Sequence, residues 1–377
     1  MSAMPIKHEK SWIPDSIANW LPASLDPRND PKWFSDASFT SNTTLREKTC
    51  RIGNQVVFAG SLFGAYTLAT GGTGLPLYFA MTAMALACRK FGSATIGYLA
   101  YPIALVSLSP GNYLQRAGRL QADVLTSAGF KVQTKNIYKS GTGYNVALIA
   151  KPGTLRNQAW SIHALGNGMA FETSMADIAR ENHSRGFNTL IINGPSVGES
   201  GGWPTRYQLG AGYEAGLQFL EQGVKANRIC MQGFSLGGGM MAEGILHHDF
   251  KFGIDNGIRY QAIFNSTFAS LRDIAGALIG RVVTPILYAT GTDLDVIAAC
   301  KHLDDLNIPQ IVLQHTHDDI IPAKVSLANK IQEVGLGRIV NVIKSGSVRR
   351  NAHNSPFPWL VNWRVALNMM WFKHGWR

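Results

Sequence analysis

Residues Arg228 to Leu246 restrict the fold more than any other stretch of this chain. Arg228-Ile229-Cys230-Met231-Gln232 reads as a short apolar strand, and Met240 to Leu246 reads as a helix. Between them lies Gly233-Phe234-Ser235-Leu236-Gly237, a G-x-S-x-G turn. Such a turn is too tight for side chains at its flanking positions, hence the glycines, and it lifts the serine hydroxyl to the helix N-terminus. There the first backbone N–H groups are unpaired and can stabilise an oxyanion. The chain contains its own control. Gly198-Glu199-Ser200-Gly201-Gly202 has the same pattern but runs into Trp203-Pro204 instead of a helix. Ser235, not Ser200, is therefore the expected nucleophile.

The rest of the second half alternates apolar runs with helical segments. Lys131–Tyr138 and Tyr144–Ala150 read as strands joined by the turn Ser140-Gly141-Thr142-Gly143. Further strands are expected at Ala159–Ile162, Asn188–Asn193, Tyr260–Asn265, Gln310–His315 and Arg338–Lys344. Helices are expected at Met175–Arg185 and Tyr207–Gly223. This alternation implies an α/β fold, a mostly parallel sheet covered by helices on both faces. Ser266 to Asp305 is short for a large lid.

The first half differs in texture. Charged residues make up 16% of the chain, against about a quarter in ordinary globular proteins, and the deficit is local. No Asp, Glu, Lys or Arg occurs from Ile52 to Cys88, and after Arg89-Lys90 the next is Arg116. The expected organisation is a polar Pro- and Trp-containing arm over 1–51, a hydrophobic helical region over 52–115, and the α/β domain over 116–377. Each half of the first uncharged run, divided at Gly71-Gly72-Thr73-Gly74, is short for a spanning helix of about 20 residues. Basic residues flank it on both sides, which suits a hairpin dipping into a bilayer. A glycine-rich helical layer buried against the domain is the competing reading. Membrane association without a cleavable signal peptide is the expected localisation, with the cytoplasm as the alternative.

The net charge of +11 is partly gathered at the C-terminus, where no acidic residue follows Glu333. A basic solvated face explains this, and no nucleic-acid motif accompanies it. The four cysteines lie far apart with no C-x-x-C pair, so neither a disulfide framework nor a zinc site is indicated. His315-Thr316-His317-Asp318 at a strand end lacks a second His-rich motif and reads as structural. His247-His248 reads as capping the helix after the turn, and Met240 and Met241 as core. Trp203, Phe357 and Trp359 are packing residues or the lining of an acyl pocket.

Four pieces, in order, resemble the α/β-hydrolase superfamily over roughly residues 130 to 377. His163-Ala164-Leu165-Gly166 is similar to that family's His-Gly oxyanion loop, with Ala164 where glycine is usual. Asn193 to Ser200 is similar to its P-G-x-G-x-S loop. The turn at Ser235 matches its nucleophile elbow, and Asp318-Asp319-Ile320-Ile321-Pro322 its D-x-x-V-P acid loop. The resemblance implies a triad of Ser235, Asp318 and His353, with Asp319 as the alternative acid and His374 as an alternative base. It also implies oxyanion donors at the backbone N–H groups of Leu236 and Leu165, and neither metal nor cofactor. Thr267-Phe268-Ala269-Ser270-Leu271 is similar to the CHLPS-type hydrolase-like proteins of intracellular bacteria. The activity implied is cleavage of a small-molecule or lipid ester, or thioester, through an acyl-enzyme. The alternatives are an inactive membrane scaffold of the same fold and a metal hydrolase using His315, His317 and Asp318.

Overall fold

The computed structural model describes residues 38–40, 85, 89, 91–97, 99, 113–154, 158–280, 283–336, 340–345 and 352–354. Most of the arm and of the uncharged region, and Phe357, Trp359 and His374, lie outside these residues.

Nine strands form one sheet in the order β1-β2-β3-β5-β4-β6-β7-β8-β9. They are β1 Ser38–Thr40, β2 Lys131–Lys139, β3 Thr142–Ala150, β4 Ala159–Ala164, β5 Asn188–Ile192, β6 Arg228–Phe234, β7 Arg259–Asn265, β8 Gln310–His315 and β9 Val340–Ser345. Strand β3 runs antiparallel to both β2 and β5, while all pairs from β5 to β9 are parallel. The β2–β3 hairpin is tighter than expected. Ser140 (φ 52°) and Gly141 (φ 82°) alone make the turn, since Thr142 and Gly143 already pair with Lys139 and Tyr138. Positive φ at both central residues is the turn whose twist matches that of paired strands. A piece of the arm, β1, pairs in parallel with β2 and so extends the sheet edge.

Successive strand side chains point to opposite faces, and the core divides accordingly. Val146, Leu148, Leu190 and Ile192 belong to one buried cluster, while Ala147, Ile149 and Ile191 belong to another. The first cluster contains residues of α3 (Arg206–Gln218), α4 (Leu236–His247), α8 (Val296–Asp305) and α9 (Leu327–Glu333). The second contains residues of α1 (Tyr113–Ser127) and α2 (Phe171–Ser184). Helices thus cover both faces, as the near-continuous apolar runs of the central strands require. Short helices α5 (Phe250–Asp255), α6 (Leu271–Leu278) and α7 (Val283–Thr290) complete the described set.

Side-chain caps decide where several helices begin. Ser270, Asp295 and Ser326 accept the N–H groups of Asp273, Ala298 and Asn329 at the starts of α6, α8 and α9. Helix α2 begins at Phe171, four residues before the expected Met175, because the Asn193 side chain accepts the Phe171 N–H. That partner is distant in sequence and left no local signal. The helix expected over Tyr207–Gly223 runs from Arg206 and widens into a π turn over Phe219–Gly223. The stretch Ser266–Asp305, read as short for a lid, holds α6, α7 and α8, of which α8 packs on α4. Met240 and Met241 are buried in the core. His247 and His248 do not cap α4 through its carbonyls. They meet the carboxylates of Glu243 and Glu221 instead.

Among the described residues no helix is long and apolar enough to cross a membrane. Residues 91–97, inside the second uncharged run, are helical and pack on the α/β domain. The Phe91 and Trp203 rings lie 5.6 Å apart, and the Ser93 hydroxyl accepts from Thr292 at 3.4 Å. Trp203, 41% exposed, thus packs on this segment.

Candidate active site

Parallel strands β6, β7, β8 and β9 end on one edge of the sheet, and each is followed by a residue that sequence reading singled out or should have. Ser235 follows β6, Asn265 ends β7, Asp318 follows β8 and His353 follows β9. Loops at the carboxyl edge of a parallel sheet are where α/β proteins place ligands.

Ser235 has φ 52° and ψ −121°, a conformation that costs a non-glycine residue about 1–3 kcal/mol. The surroundings hold it there. Its N–H donates to the Asn265 carbonyl (2.9 Å), and its carbonyl accepts from Gly238 N–H (2.9 Å) and the Thr267 hydroxyl (2.6 Å). The helix can start immediately because its glycines let backbone approach backbone. A Cβ on Gly237 would sit 2.2 Å from the Ala164 carbonyl oxygen. Replacing Ser235 by glycine should therefore raise thermal stability while abolishing any function of the hydroxyl. Relief of strain, less the entropy glycine adds to the unfolded chain, leaves about 1 kcal/mol, a Tm rise of roughly 1–2 °C. Calorimetry against Ser235→Ala, which keeps the strain, isolates the effect. Equal melting of the two variants would refute it.

The same close packing brings the second loop onto the serine. A Cβ on Gly166 would lie 3.3 Å from the Ser235 Cβ and 2.8 Å from the Phe234 ring. Both expected oxyanion donors therefore border Ser235: Leu236 follows it directly, and Leu165 precedes the glycine that touches it. Neither N–H has a hydrogen-bond partner among the described residues. Ala164 in place of glycine is accommodated as the last residue of β4, in ordinary extended backbone.

His353 is 3% exposed. Its Nδ1–H donates to Asp318, lying 3.0 and 2.9 Å from the two carboxylate oxygens. Asp319 has a different partner, accepting the His353 backbone N–H at 3.0 Å. The two acids thus divide the work, one on the imidazole and one on the loop that carries it. Asp318 is itself tied down by the N–H groups of Ile320 (2.9 Å) and Ile321 (2.7 Å) and by the Gln314 amide (2.9 Å). Burial pushes its carboxyl upward, but the His353 and Ile321 hydrogen bonds outweigh this and hold it below the usual carboxylate range. The imidazole ring lies against Phe234, with centroids 5.2 Å apart, and so borders the residue before Ser235. With Nδ1 committed to Asp318, Nε2 is left without a partner among the described residues, as is the Ser235 hydroxyl. The two are not hydrogen-bonded to each other. Such contacts are often long without substrate and tighten in the complex.

Other candidates have other employment. Ser200 is buried, donating to the Asn193 carbonyl at 3.2 Å and accepting the Asn145 N–H at 2.8 Å, so it locks a loop. The His163 imidazole accepts from the Asn182 amide at 2.6 Å and meets the Ser161 hydroxyl at 3.0 Å. Burial above all, then the nearby Arg185 charge, lowers its pKa to about 3, so the ring is neutral. The part of this loop that borders Ser235 is the backbone at Gly166, and the histidine is engaged with Asn182 and Ser161. His315 is buried and His317 exposed, so the two imidazoles beside Asp318 sit in different environments. Among the described residues no three groups are placed to hold a metal ion. Sequence reading missed Asn265, Thr267 and Gln314, which fix the serine and the acid. Thr267 lies in the stretch that carries the CHLPS resemblance, and the other two left no signal.

Residues 148–331 match the sequence model of the family described as Chlamydia CHLPS protein (DUF818). No curated protein matches the chain. Among solved structures, the chain is similar to an alpha-beta hydrolase from Vibrio vulnificus at 16% identity. That match covers 73% of this chain and 92% of the other, with a TM-score of 0.52, which shows the α/β-hydrolase fold. An esterase of Pyrococcus furiosus matches at 14% identity over 67% of this chain and 93% of its own, with a TM-score of 0.48. A fungal esterase from Rhizomucor miehei matches at 13% identity over 72% and 96%, with a TM-score of 0.44.

Proposed function

We propose that this α/β-hydrolase-fold chain, similar to the CHLPS proteins, is a serine hydrolase that cleaves an ester or thioester through an acyl-enzyme. The observation that carries the reading is the buried Asp318–His353 pair, held at the carboxyl edge against the turn that bears Ser235. A serine hydroxyl is a weak nucleophile, so a base must take its proton as it attacks the carbonyl. His353 Nε2 takes it, while Asp318 keeps the tautomer that leaves Nε2 bare and stabilises the imidazolium. The Leu236 and Leu165 N–H groups receive the oxyanion. His353 then returns the proton to the leaving oxygen or sulfur, and water repeats the sequence to release the acid.

The substrate in this reading is a small-molecule or lipid ester presented near a membrane. Support comes from region 52–115, whose charged residues are Arg89 and Lys90 alone, and from large apolar side chains exposed within it and on the α/β domain. Leu278 and Ile279 at the end of α6, Ile286 and Tyr288 on α7, and Phe91 and Leu99 are between 52 and 77% exposed. Labelling with a fluorophosphonate probe tests the chemistry. The expected result is one covalent adduct per chain, lost in Ser235→Ala and retained in Ser200→Ala. An adduct that survives Ser235→Ala would end the assignment, and a folded protein that takes no label would favour an inactive scaffold.

A further inference from the structure

A cavity of about 740 Å³ opens between α1, the β2–β3 strands and the loop at Gly198, and none of Ser235, Asp318 and His353 lines it. Its size is that of a small-ligand site. Glu172, in the first turn of α2, is 7% exposed and is the one buried carboxylate of its lining. A carboxylate offers about four acceptor positions. Two donors meet it among the described residues: the Asn193 amide nitrogen, shared by both oxygens at 3.0 and 2.9 Å, and the backbone N–H of Glu172 itself, which leaves part of that capacity open. The amide is fixed in turn, because its oxygen accepts the Phe171 N–H.

The fold has closed around this group on purpose-built glycines. Gly118 of α1 rests on its stem, where a Cβ would come within 3.1 Å of Glu172 Cγ. Gly198, at φ 59°, lets the loop backbone come so near that a Cβ would lie 2.5 Å from Glu172 Oε1. An isolated buried carboxylate is costly unless a cation or several donors meet it. The remaining open side is the cavity, with Glu199 adding a second negative charge and with Leu114, Val132, Phe171 and Met175 as apolar wall. No imidazole or thiol joins the two carboxylates among the lining residues, which disfavours a zinc- or copper-type ion, and no three metal-binding side chains are gathered among the described residues.

We propose that this cavity binds an organic ammonium compound with an apolar body, its cationic end on Glu172 and its hydrocarbon against the α1 and α2 walls. Burial above all, with a smaller push from the Glu199 charge, raises the Glu172 carboxyl against the opposing hydrogen bonds of Asn193 and of its own backbone N–H, a cost that a bound cation would offset. The proposal is independent of the hydrolytic reading. Arg119, also on the lining, is its rival, since an arginine-directed site would select a carboxylate instead.

The test is calorimetric titration and thermal melting of the full chain with n-hexylamine, hexanoate and n-hexanol as probes. Saturable binding and a Tm increase are expected with hexylamine alone. Glu172→Gln should weaken it at least tenfold, and Ala122→Trp, which adds bulk to the cavity from its α1 wall, should abolish it in a protein of unchanged circular dichroism. Ser235→Ala should bind as the parent does, so a failed hydrolase assignment leaves this result standing. Equal response to hexanoate or hexanol, no saturable hexylamine binding, or binding that survives Ala122→Trp would overturn the proposal.

Discussion

Ser235→Ala and His353→Ala should each lower kcat/KM toward a short-chain nitrophenyl ester by a factor on the order of 10⁶, and the double variant should lose little more. The near-identity of single and double losses is what distinguishes a nucleophile–base unit from two independent contributors. Once the hydroxyl is gone the imidazole has no proton to accept, and once the imidazole is gone the hydroxyl attacks at its own weak rate. On the proposed mechanism, what survives in either case is stabilisation by the Leu236 and Leu165 N–H groups and binding, expected at roughly 10³–10⁴ above water. The structure makes the experiment clean at Ser235. Every hydrogen bond that holds the turn uses backbone of Ser235, donating to Asn265 and accepting from Thr267 and Gly238, and none uses its hydroxyl. Alanine therefore keeps the turn. Additive losses, with the double variant falling by the product of the singles, would show that 235 and 353 do not act on one reaction.

The difference between what the sequence discloses and what it conceals follows the range of the interactions involved. The strand before Ser235, the turn and the helix after it are local, set by apolar runs and by glycines a few residues apart, and they were legible. So was the acid loop, where Asp318 stands four residues before Pro322. The partition between Asp318 and Asp319 was not, because the two are neighbours in chain but answer to His353 side chain and backbone respectively. The early start of α2 depends on Asn193, and the strain at Ser235 is held by Asn265 and Thr267. Each of these is a contact across the sheet that no window of sequence contains. The misreading of His248 has the same origin: a capping role is local, whereas its partner Glu221 lies two elements earlier. Glu172 is the clearest case. Nothing about a glutamate in the first turn of an amphipathic helix distinguishes it from a solvated one until α1 and the Gly198 loop close over it.

Asp318→Asn should reduce kcat by about 10⁴, while Asp319→Asn should change it by less than tenfold. The reasoning turns on hydrogen direction. In the wild-type protein His353 Nδ1–H donates to both Asp318 oxygens, which leaves Nε2 as the ring's acceptor, the proposed general base. An asparagine at 318 keeps one oxygen on the Ile320 and Ile321 N–H groups. Its NH₂ then takes the place of the oxygen that met Nδ1 and the Gln314 amide. Gln314 can turn its amide over, since its Oε1 has no partner at present. The fold is therefore spared. His353 Nδ1 is left between that NH₂, at the 2.9 Å position, and the retained oxygen at 3.0 Å, which already accepts two N–H groups, so its nearer and less occupied neighbour has become a donor. To accept from the new NH₂ its Nδ1 must give up its hydrogen to Nε2, and the proton then sits on the nitrogen that should receive one, the wrong tautomer for a general base. Asparagine at 319 still offers an oxygen to the His353 backbone N–H, so although one negative charge is lost the Asp318–Nδ1 bond and the tautomer stay as they are. Steady-state kinetics at neutral pH on both variants, with near-ultraviolet circular dichroism to confirm packing, decide the matter. An Asp319→Asn loss equal to that of Asp318→Asn would move the acid to 319, and an Asp318→Asn enzyme within tenfold of the parent would remove the carboxylate from the mechanism.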